Sequence, residues 1–483
     1  MKVSSDTLAA RSAGLLPASP RLLAIILASA LFMEQLDSTV LATALPAMAT
    51  SFAVPPLHLS IAVTAYLVAL AVFIPCSGWI VDRMGSRTVL LTAIFCFTMG
   101  SILCGVSQSI ALLVAARILQ GLGGAMIVPI GRLVLLRTLP KSEYVSALSW
   151  VLLPAMVGPV VGPPVGGFIV TYSSWRWIFF LNVPFGILGL ILATLFVPQI
   201  KEPSPPKFDG KGLALSGISL SLLVFALEGA RDNSLTAVWV GGMLAISGLS
   251  GLAYIRHALR HSAPVLDLRL LAVPTFFVSA LGGTLFRIGM GAIPFLLPLM
   301  LQLSFGVSAV KSGTITFASA AGGVVMKALT APIFRTFGYR HTLIGCGIAT
   351  TLYLVACAAL RPSWPIYMIY AVLLTGGVFR SVQFNAYGTL AYADIPSEKM
   401  SAATSFYTTL QQLSITLGVA ISAALLSGIM DVEGHAQPTI TDFTETFLII
   451  AALAAAALPL SFGLTQLAGS ELSGHRLNAN RTS

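Results

Sequence analysis

Charged residues are scarce in this sequence. Of its 483 residues only 9% are Asp, Glu, Lys or Arg, whereas soluble globular proteins have about 25%. With 56% hydrophobic residues and a mean hydropathy of +0.90, the chain cannot cover a water-facing surface. Its apolar runs are continuous for about 20 residues instead of alternating over about 10. This pattern excludes a membrane β-barrel and predicts an all-α polytopic membrane protein.

Signatures of catalysis, nucleotide binding and metal binding are missing as well. The sequence has no Gly-x-x-x-x-Gly-Lys-Ser/Thr phosphate loop, so we do not expect ATP to supply energy. It also has no HExxH, Gly-x-Ser-x-Gly or Cys-x-x-Cys motif, which argues against a membrane enzyme. The cysteines lie inside apolar segments without metal-ligand spacing, and we interpret them as reduced packing residues: Cys76, Cys96, Cys104, Cys346 and Cys357.

Basic residues outnumber acidic ones by 27 to 17, which gives a net charge of +10. Such an excess is also found in nucleic-acid-binding proteins, but in membrane proteins basic residues collect in cytoplasmic loops. If the N-terminus is cytoplasmic, 19 of the 27 basic residues lie in cytoplasmic segments, 4 lie in outer loops and 4 lie inside spans. This bias predicts cytoplasmic termini, an even number of spans and no nucleic-acid partner.

Hydrophobicity along the chain predicts fourteen membrane spans. The first resembles a signal peptide, because Arg21 precedes twelve apolar residues from Leu22 to Met33. Glu34 and Asp37 continue this span and thirteen more follow, so we expect it to stay uncleaved. The predicted spans are 22–44, 57–80, 88–107, 110–134, 145–171, 178–198, 212–230, 236–256, 274–300, 308–334, 341–360, 364–392, 400–428 and 443–467.

Two polar stretches, at 199–212 and 256–269, divide these spans into groups of six, two and six. They predict an N-terminal six-helix bundle (1–200), a linker with a two-helix insert (201–260) and a C-terminal six-helix bundle (261–483). The two bundles also repeat each other, because a shift of 253 residues places Gly85 on Gly338 and Arg87 on Arg340. Internal repeats of this kind build secondary transporters whose substrate site lies between the halves.

Charged residues inside spans are candidates for function, because each costs at least about 2.5 kcal/mol to insert. Asp37 and Arg117 each lie seven residues from the outer end of their span, so we expect them to pair. Such a pair either takes part in proton coupling or only fixes two helices together. Glu34 lies one turn deeper, where burial favours the protonated form that a proton carrier needs. Alternatively, Glu34 is permanently neutral and hydrogen-bonded to a neighbour.

In the second half the charged residues deep inside the predicted spans are all positive. Arg287 lies close to the membrane midplane with no acidic residue in its own span, so it either pairs with Glu34 or Asp37 or binds an anion. Lys327 lies nearer the inner surface and either binds substrate or extends to the interface. The predicted substrate-binding residues are Arg287, Lys327, Arg380, Gln383, Asn385 and Gln411.

The fifth predicted span carries a stripe of small residues. Gly158, Gly162 and Gly166 follow each other at intervals of four, which predicts a close approach by another helix. Pro159 and Pro163 lie beside them and predict a bend, because proline removes a backbone donor.

Together these residues resemble the major facilitator superfamily, specifically its fourteen-helix drug:proton antiporters of the EmrB/QacA type. The resemblance runs from about Leu22 to Leu467. Ala42 stands where the family usually has Asn, and Glu34 and Arg380 also depart from the similar MdtD-type exporters. The motifs that carry the resemblance are Leu36–Pro46, Gly78–Arg87, Arg117–Gly121 with Pro129, Gly158–Gly167, Trp175–Pro184 and Phe208–Gly212.

The resemblance implies roles for some of these residues. It assigns Arg117 to proton coupling, makes the glycine stripe an antiporter motif and places Asp82 at the start of a helix near 399–401. The implied conformational motifs comprise Gly78, Asp82, Arg83, Gly85 and Arg87 together with Gly158, Pro159, Gly162, Pro163 and Gly166.

We therefore expect a multi-pass exporter of the bacterial inner membrane with the major facilitator fold, which works by alternating access. The expected energy source is the proton gradient without another cofactor, and the expected partners are protons, a small molecule and the bilayer, with the chain as a monomer. Three basic residues in the second half favour an anionic substrate such as a carboxylate or an iron chelate. The alternatives are an exporter of lipophilic cations and a transport-inactive sensor or scaffold.

Overall fold

The computed structural model describes residues 20–138, 157–158, 160–201, 208–231, 236–396 and 399–474, and these residues contain helices but no strand. Apolar side chains dominate every long helix, as the low charge content predicts. The long helices are α1 Pro20–Phe52, α2 Ser60–Met84, α3 Ser86–Gly105, α4 Ile110–Thr138, α5 Val160–Tyr172, α6 Trp177–Phe196, α7 Gly210–Arg231, α8 Ala237–Arg260, α9 Pro274–Leu299, α10 Ala309–Ala358, α11 Ile366–Leu390, α12 Met400–Glu433 and α13 Ile440–Ala455.

Within the described residues, twelve helices are long and apolar enough to cross a membrane, and α5 is a shorter apolar helix. This confirms a polytopic all-α membrane protein. α10 is a run of 50 residues that contains the predicted spans 308–334 and 341–360 as two helices, and these meet at a kink instead of the predicted loop. The run is broken only at Gly338, whose φ of 69° is not helical.

Gly85 plays the same part in the first half, because it joins α2 to α3 with a φ of 93° and no further loop residue. A backbone with φ near these values is accessible to glycine and strained for other residues. The predicted repeat of Gly85 and Gly338 is therefore present in the backbone conformation. In both places the sharp turn replaces the short polar loop that the sequence predicted.

The chain divides into two compact units, Met1–Leu213 and Ala214–Ser483. α7 and α8, which form the predicted insert, are joined by paired serines. The Ser219 hydroxyl donates to the Ser247 carbonyl at 2.9 Å, and the Ser247 hydroxyl donates to the Ser219 carbonyl at 2.8 Å. Such reciprocal bonds suit apolar surroundings, because each hydroxyl finds an acceptor on the facing helix. The division into 1–200, 201–260 and 261–483 stays a prediction.

Candidate functional site

The predicted pair of Asp37 and Arg117 is present in the N-terminal unit. Arg117 Nη1 donates to Asp37 Oδ2 at 2.6 Å, and the two side chains are 3% exposed or less. Arg117 Nε donates to the Ala62 carbonyl at 3.1 Å, and its guanidinium lies 4.2 Å from the centre of the Tyr66 ring. The pair thus joins α1, α2 and α4, at the common depth that counting residues from the span ends predicted.

Two neutral amides complete this pair, and sequence reasoning assigned neither of them a role. Gln120 Nε2 donates to Asp37 Oδ1 at 2.9 Å, while Gln120 Oε1 accepts from Arg117 at 2.7 Å. Asn182 of α6 donates to the same Asp37 oxygen at 3.0 Å, and Ser101 of α3 accepts from both amides. Asp37 therefore accepts hydrogen bonds from three donors, which come from α4 and α6.

Glu34 is buried one turn deeper on α1 and has a much poorer environment. The Tyr66 hydroxyl donates to Glu34 Oε1 at 3.4 Å, a long hydrogen bond, and Oε2 has no partner among the described residues. Gly124 of α4 lies beside this group, and a Cβ there would lie 3.1 Å from the Tyr66 hydroxyl that donates to Glu34. A carboxyl group with so little hydrogen bonding is easier to bury in its neutral form.

The predicted glycine stripe packs against α1, which is the helix that carries Glu34 and Asp37. A Cβ at Gly158 would lie 2.9 Å from Gln35 Cβ, and a Cβ at Gly166 would lie 2.8 Å from the Val40 carbonyl oxygen. A Cβ at Gly162 would collide with the Thr39 hydroxyl. This confirms the predicted close approach. Pro163 lies within α5, and Pro159 lies outside the described residues.

The motif between α2 and α3 is fixed by the segment that follows α6. Gln199 Oε1 accepts from the backbone N–H groups of Arg87 at 2.9 Å and Thr88 at 3.2 Å, and thereby caps the start of α3. A Cβ at Gly85 would displace the amide end of the Gln199 side chain, while the φ of 93° is the feature that requires glycine there. Gln199 was predicted only as the start of a linker.

The other members of this motif lie around the end of α2. The Arg83 guanidinium lies 5.4 Å from the centre of the Trp79 ring. A Cβ at Gly78 would meet no atom within 4 Å, so the structure gives no local packing reason for that glycine. Asp82 is half-buried, and the predicted contact of Asp82 with the helix near 399–401 stays a prediction.

Arg87 and Arg340 extend the internal repeat to side chains. Arg87 Nη2 donates to the carbonyl of Thr194, near the end of α6. Arg340 Nη2 donates at 3.4 Å to the carbonyl of Phe462, at the end of the short helix Leu458–Phe462. Each arginine thus contacts a carbonyl at a helix C-terminus, where a cation is favoured.

Arg287 is the fully buried arginine of the C-terminal unit, with 0% exposure. Its Nη2 donates to the Tyr407 hydroxyl on α12. Its Nε and Nη1 have no hydrogen-bond partner among the described residues. A buried cation with unused N–H groups is costly for the fold, and it is the donor set that a carboxylate or phosphate needs.

Small and aromatic residues surround this guanidinium. It lies 4.7 Å from the centre of the Tyr407 ring and 5.5 Å from that of Phe384, distances at which the ring faces attract a cation. A Cβ at Gly283, one turn earlier on α9, would lie 2.7 Å from Arg287 Nη1. Glycine at position 283 therefore leaves the space that the guanidinium occupies.

Gln383 is linked to Arg287 through Tyr387, and their predicted membership of one substrate site stays a prediction. Gln383 is 2% exposed, and its Oε1 has no partner among the described residues. Its side chain is hydrogen-bonded to Tyr387, which also interacts with Arg287. The region around Arg287 and Gln383 thus presents both donors and an acceptor that are not satisfied within the described part of the chain.

The other predicted substrate residues are less clearly part of this cluster. Asn385 is half-buried and donates to the Ser381 carbonyl of its own helix at 2.8 Å. Arg380 lies one turn before Gln383, half-buried and near the buried Tyr353. Gln411 is half-buried on α12. The Lys327 side chain lies outside the described residues.

Sequence reasoning missed the neutral partners of the buried charges. Gln120, Asn182, Tyr66 and Tyr407 all bind a charged group directly, although polar neutral residues in apolar helices carry a weaker signal than charged ones. Gln120 offered the clearest signal, because it lies three residues after Arg117 and therefore on the same helix face. The five cysteines are free, as predicted, and all but the half-buried Cys96 are buried.

Comparison with known proteins agrees with this architecture. The family model of the Major Facilitator Superfamily matches residues 27–419 and 279–476. The chain is similar to MdtD of Salmonella paratyphi B, with 37% identity over 415 residues, 85% of this chain and 87% of that protein. It is also similar to MdtD of Escherichia coli strain K12, with 35% identity over 446 residues, 91% of this chain and 94% of that protein. Both relatives carry provisional names as multidrug resistance proteins.

A solved structure has the same fold at low identity. A bacterial homologue of the human lysosomal transporter Spinster, in an inward-facing and unoccupied conformation, aligns with a TM-score of 0.62 and 16% identity. The alignment covers 96% of this chain and all of that one. The chain belongs to the major facilitator superfamily, and it is a multi-pass secondary transporter of the bacterial inner membrane, not an enzyme.

Proposed function

We propose that this chain is a proton-coupled exporter that works by alternating access and carries an organic anion, such as a carboxylate or an iron chelate. The observation that carries the substrate class is the pair of unused N–H groups on the buried Arg287. The proton gradient supplies the energy without another cofactor, and the chain works as a monomer.

The proposed topology has fourteen spans with both termini in the cytoplasm. Two features support two spans beyond the twelve that meet the length criterion. α5 is a further apolar helix, and it begins directly after Pro159, which is not among the residues that the structure describes. α10 has 50 residues, about 75 Å of helix, against about 30 Å of bilayer hydrocarbon. The break at Gly338 divides it into two segments, each long enough to cross.

Proton coupling is assigned to Asp37, Glu34 and Arg117. Asp37 holds Arg117 through a short ion pair, so protonation of Asp37 would weaken that pair and release the contact between α1 and α4. Glu34 lies one turn away with one oxygen unpartnered among the described residues, and it offers a second position for the proton. These two carboxyl groups at adjacent depths form a short path along α1.

The anionic substrate is assigned to the region around Arg287. Arg287 and Gln383 provide donors and an acceptor in a buried setting, while Phe384 and Tyr407 provide aromatic faces. Arg380, Asn385, Gln411 and Lys327 remain proposed contacts of a substrate that extends along α11 and α12. A guanidinium donates charge-assisted hydrogen bonds to a carboxylate, and Nε and Nη1 of Arg287 have no other acceptor among the described residues.

The alternative is an exporter of lipophilic cations. The names of the MdtD relatives refer to multidrug resistance. Glu34 and the Tyr66 ring together provide a buried carboxyl group and an aromatic face, the combination that a lipophilic cation prefers. In this alternative Glu34 and Asp37 contact the substrate and Arg287 is structural.

A proton-flux assay in proteoliposomes distinguishes the two functions. Citrate, with and without iron, is compared with ethidium as the added substrate. Proton release with citrate that is lost in Arg287→Gln and retained in the control variant Gly388→Ala, where the new Cβ would meet no atom within 4 Å, supports the anion exporter. A response only to ethidium, lost in Glu34→Gln or Asp37→Asn, contradicts it and establishes the cation exporter. No proton release with either substrate, from protein that is folded, contradicts proton-coupled export of both classes tested.

A further inference from the structure

A groove of about 470 Å³ opens on the surface of the C-terminal unit, where α7 of the two-helix insert lies beside α12. Its wall is apolar, with Leu227 from α7 facing Ile421 and Leu425 from α12. Glu433, the last residue of α12, and Glu445 of α13 also line it. The volume lies in the range of small-molecule sites, about 300–1,000 Å³.

The length of the groove fits one leaflet of a bilayer. Ile421 and Glu433 are twelve residues apart on α12, which corresponds to about 18 Å of helix. Half of the hydrocarbon core of a bilayer is about 15 Å thick. Gly428 lies between these two residues, and a Cβ there would meet no atom within 4 Å. The groove is therefore open along its middle and long enough for one extended acyl chain.

The charge at the polar end of the groove favours a cation. Glu433 and Glu445 are both exposed, and Glu433 ends α12, where the helix dipole already places partial negative charge. A carboxylate at a helix C-terminus is unfavourable by itself and is stabilised when a cation binds beside it. In the proposed topology this end of α12 faces the outer side of the membrane.

We infer that this groove binds phosphatidylethanolamine from the outer leaflet, with one acyl chain along α12 and the primary ammonium group between Glu433 and Glu445. The inference rests on the proposed topology for the choice of leaflet. It also gives the insert a function, since α7 forms one wall of the site. An anionic headgroup such as that of phosphatidylglycerol is disfavoured by the same two carboxylates.

Native mass spectrometry of the purified full-length protein tests this site. Phosphatidylethanolamine and phosphatidylglycerol with identical acyl chains are added at equal concentration. The molecules of each lipid that stay bound to the protein in the mass spectrometer are then counted. We expect one phosphatidylethanolamine to be retained preferentially. Gly428→Phe fills the groove and should lower that retention about tenfold. Gly241→Phe is the matched control, because Gly241 is an equally open glycine on α8 that does not line the groove.

A separate test addresses the headgroup. This test can contradict the inference even if Gly428→Phe does not fold. The double variant Glu433→Gln with Glu445→Gln should bring the two lipids to equal retention, whereas Glu471→Gln, an exposed residue outside the groove, should not. Equal retention by the unaltered protein, or full retention in Gly428→Phe, would overturn the inference. Displacement of the lipid by tetraphenylphosphonium would identify a drug site instead.

This readout is independent of transport. Arg287→Gln, which should abolish citrate-driven proton release, should retain phosphatidylethanolamine as the unaltered protein does. Loss of the lipid site with normal transport, or the reverse, therefore separates the failure of one proposal from the failure of the other.

Discussion

Among the residues that the structure describes, each unit buries one arginine almost completely, and these two arginines have very different hydrogen-bond partners. Arg117 has a carboxylate, an amide and a backbone carbonyl as acceptors. Arg287 has a single phenolic hydroxyl, and two of its nitrogens have no acceptor among the described residues. Both guanidinium groups lie against aromatic rings, so the difference lies in the counter-charge and not in the apolar surroundings.

The difference separates a charge that the fold has neutralised from one that it has left for another molecule. When one partner of a buried, fully hydrogen-bonded ion pair is removed, the folded protein loses several kcal/mol of stability. A buried charge without a partner already bears that cost, so its removal relieves the fold. Removal of the two arginines should therefore change the free energy of unfolding in opposite directions.

The largest expected effect on stability is that of Arg117→Met. It leaves the buried Asp37 carboxylate without its cation and should lower the free energy of unfolding by about 3–5 kcal/mol. Thermal or denaturant unfolding of the purified protein in detergent measures this. The double variant Asp37→Asn with Arg117→Met removes both charges and should recover most of the loss. Equal destabilisation in the single and double variants would show that the charges themselves do not matter.

Arg287→Met should act in the opposite direction. Replacing an unpaired buried cation with an apolar side chain should leave the free energy of unfolding unchanged or raise it by about 1 kcal/mol. Citrate-driven proton release should be lost at the same time. The same unfolding and flux assays check both statements. A loss of stability as large as that of Arg117→Met would mean that Arg287 has a structural counter-charge.

Gly283→Ala sharpens the comparison without removing a charge. The new Cβ would lie 2.7 Å from Arg287 Nη1 and must displace the guanidinium. We expect citrate affinity to fall by about fivefold, which corresponds to roughly 1 kcal/mol, with little change in unfolding. Gly388→Ala is the matched control, since a Cβ at Gly388 on the neighbouring α11 would meet no atom within 4 Å. Equal effects of the two variants would disconnect position 283 from the substrate site.

Tyr66→Phe should give the smallest effect. It removes the long hydrogen bond to Glu34 and keeps the ring beside Arg117, so we expect a loss of about 0.5 kcal/mol in unfolding free energy. The measurement is the unfolding assay used for Arg117→Met. A loss comparable with that of Arg117→Met would place the Tyr66 hydroxyl inside the Asp37 and Arg117 network, contrary to the distances observed.

Part of the candidate site could be predicted from the sequence because depth in a membrane is readable. Each residue adds about 1.5 Å along a helix, so residue counts placed Asp37 and Arg117 at one level and their charges required a pair. The glycine interval in α5 likewise predicted a close helix contact. The repeat of Gly85 and Gly338 appeared because both halves require the same backbone turn.

The partners of these residues could not be predicted in the same way. Gln120, Asn182 and Gln199 each satisfy groups on other helices, and their identity depends on how each helix is rotated about its axis. Rotation is set by the packing of all neighbouring side chains, which a single sequence does not reveal. For the same reason the sequence left open whether Arg287 has a counter-charge.

By itself, the sequence determined that this protein lies in a membrane, where its apolar helices are and which charges must be buried. Hydrophobicity and residue counts can be read along the chain without knowing how the helices pack. Only the tertiary structure decided that Arg117 is paired with a carboxylate that accepts three hydrogen bonds, while two nitrogens of Arg287 have no acceptor in the described chain. The tertiary structure also formed the groove between α7 and α12. Hydrogen bonds and grooves depend on distances between helices, and these are fixed only when the helices pack in three dimensions.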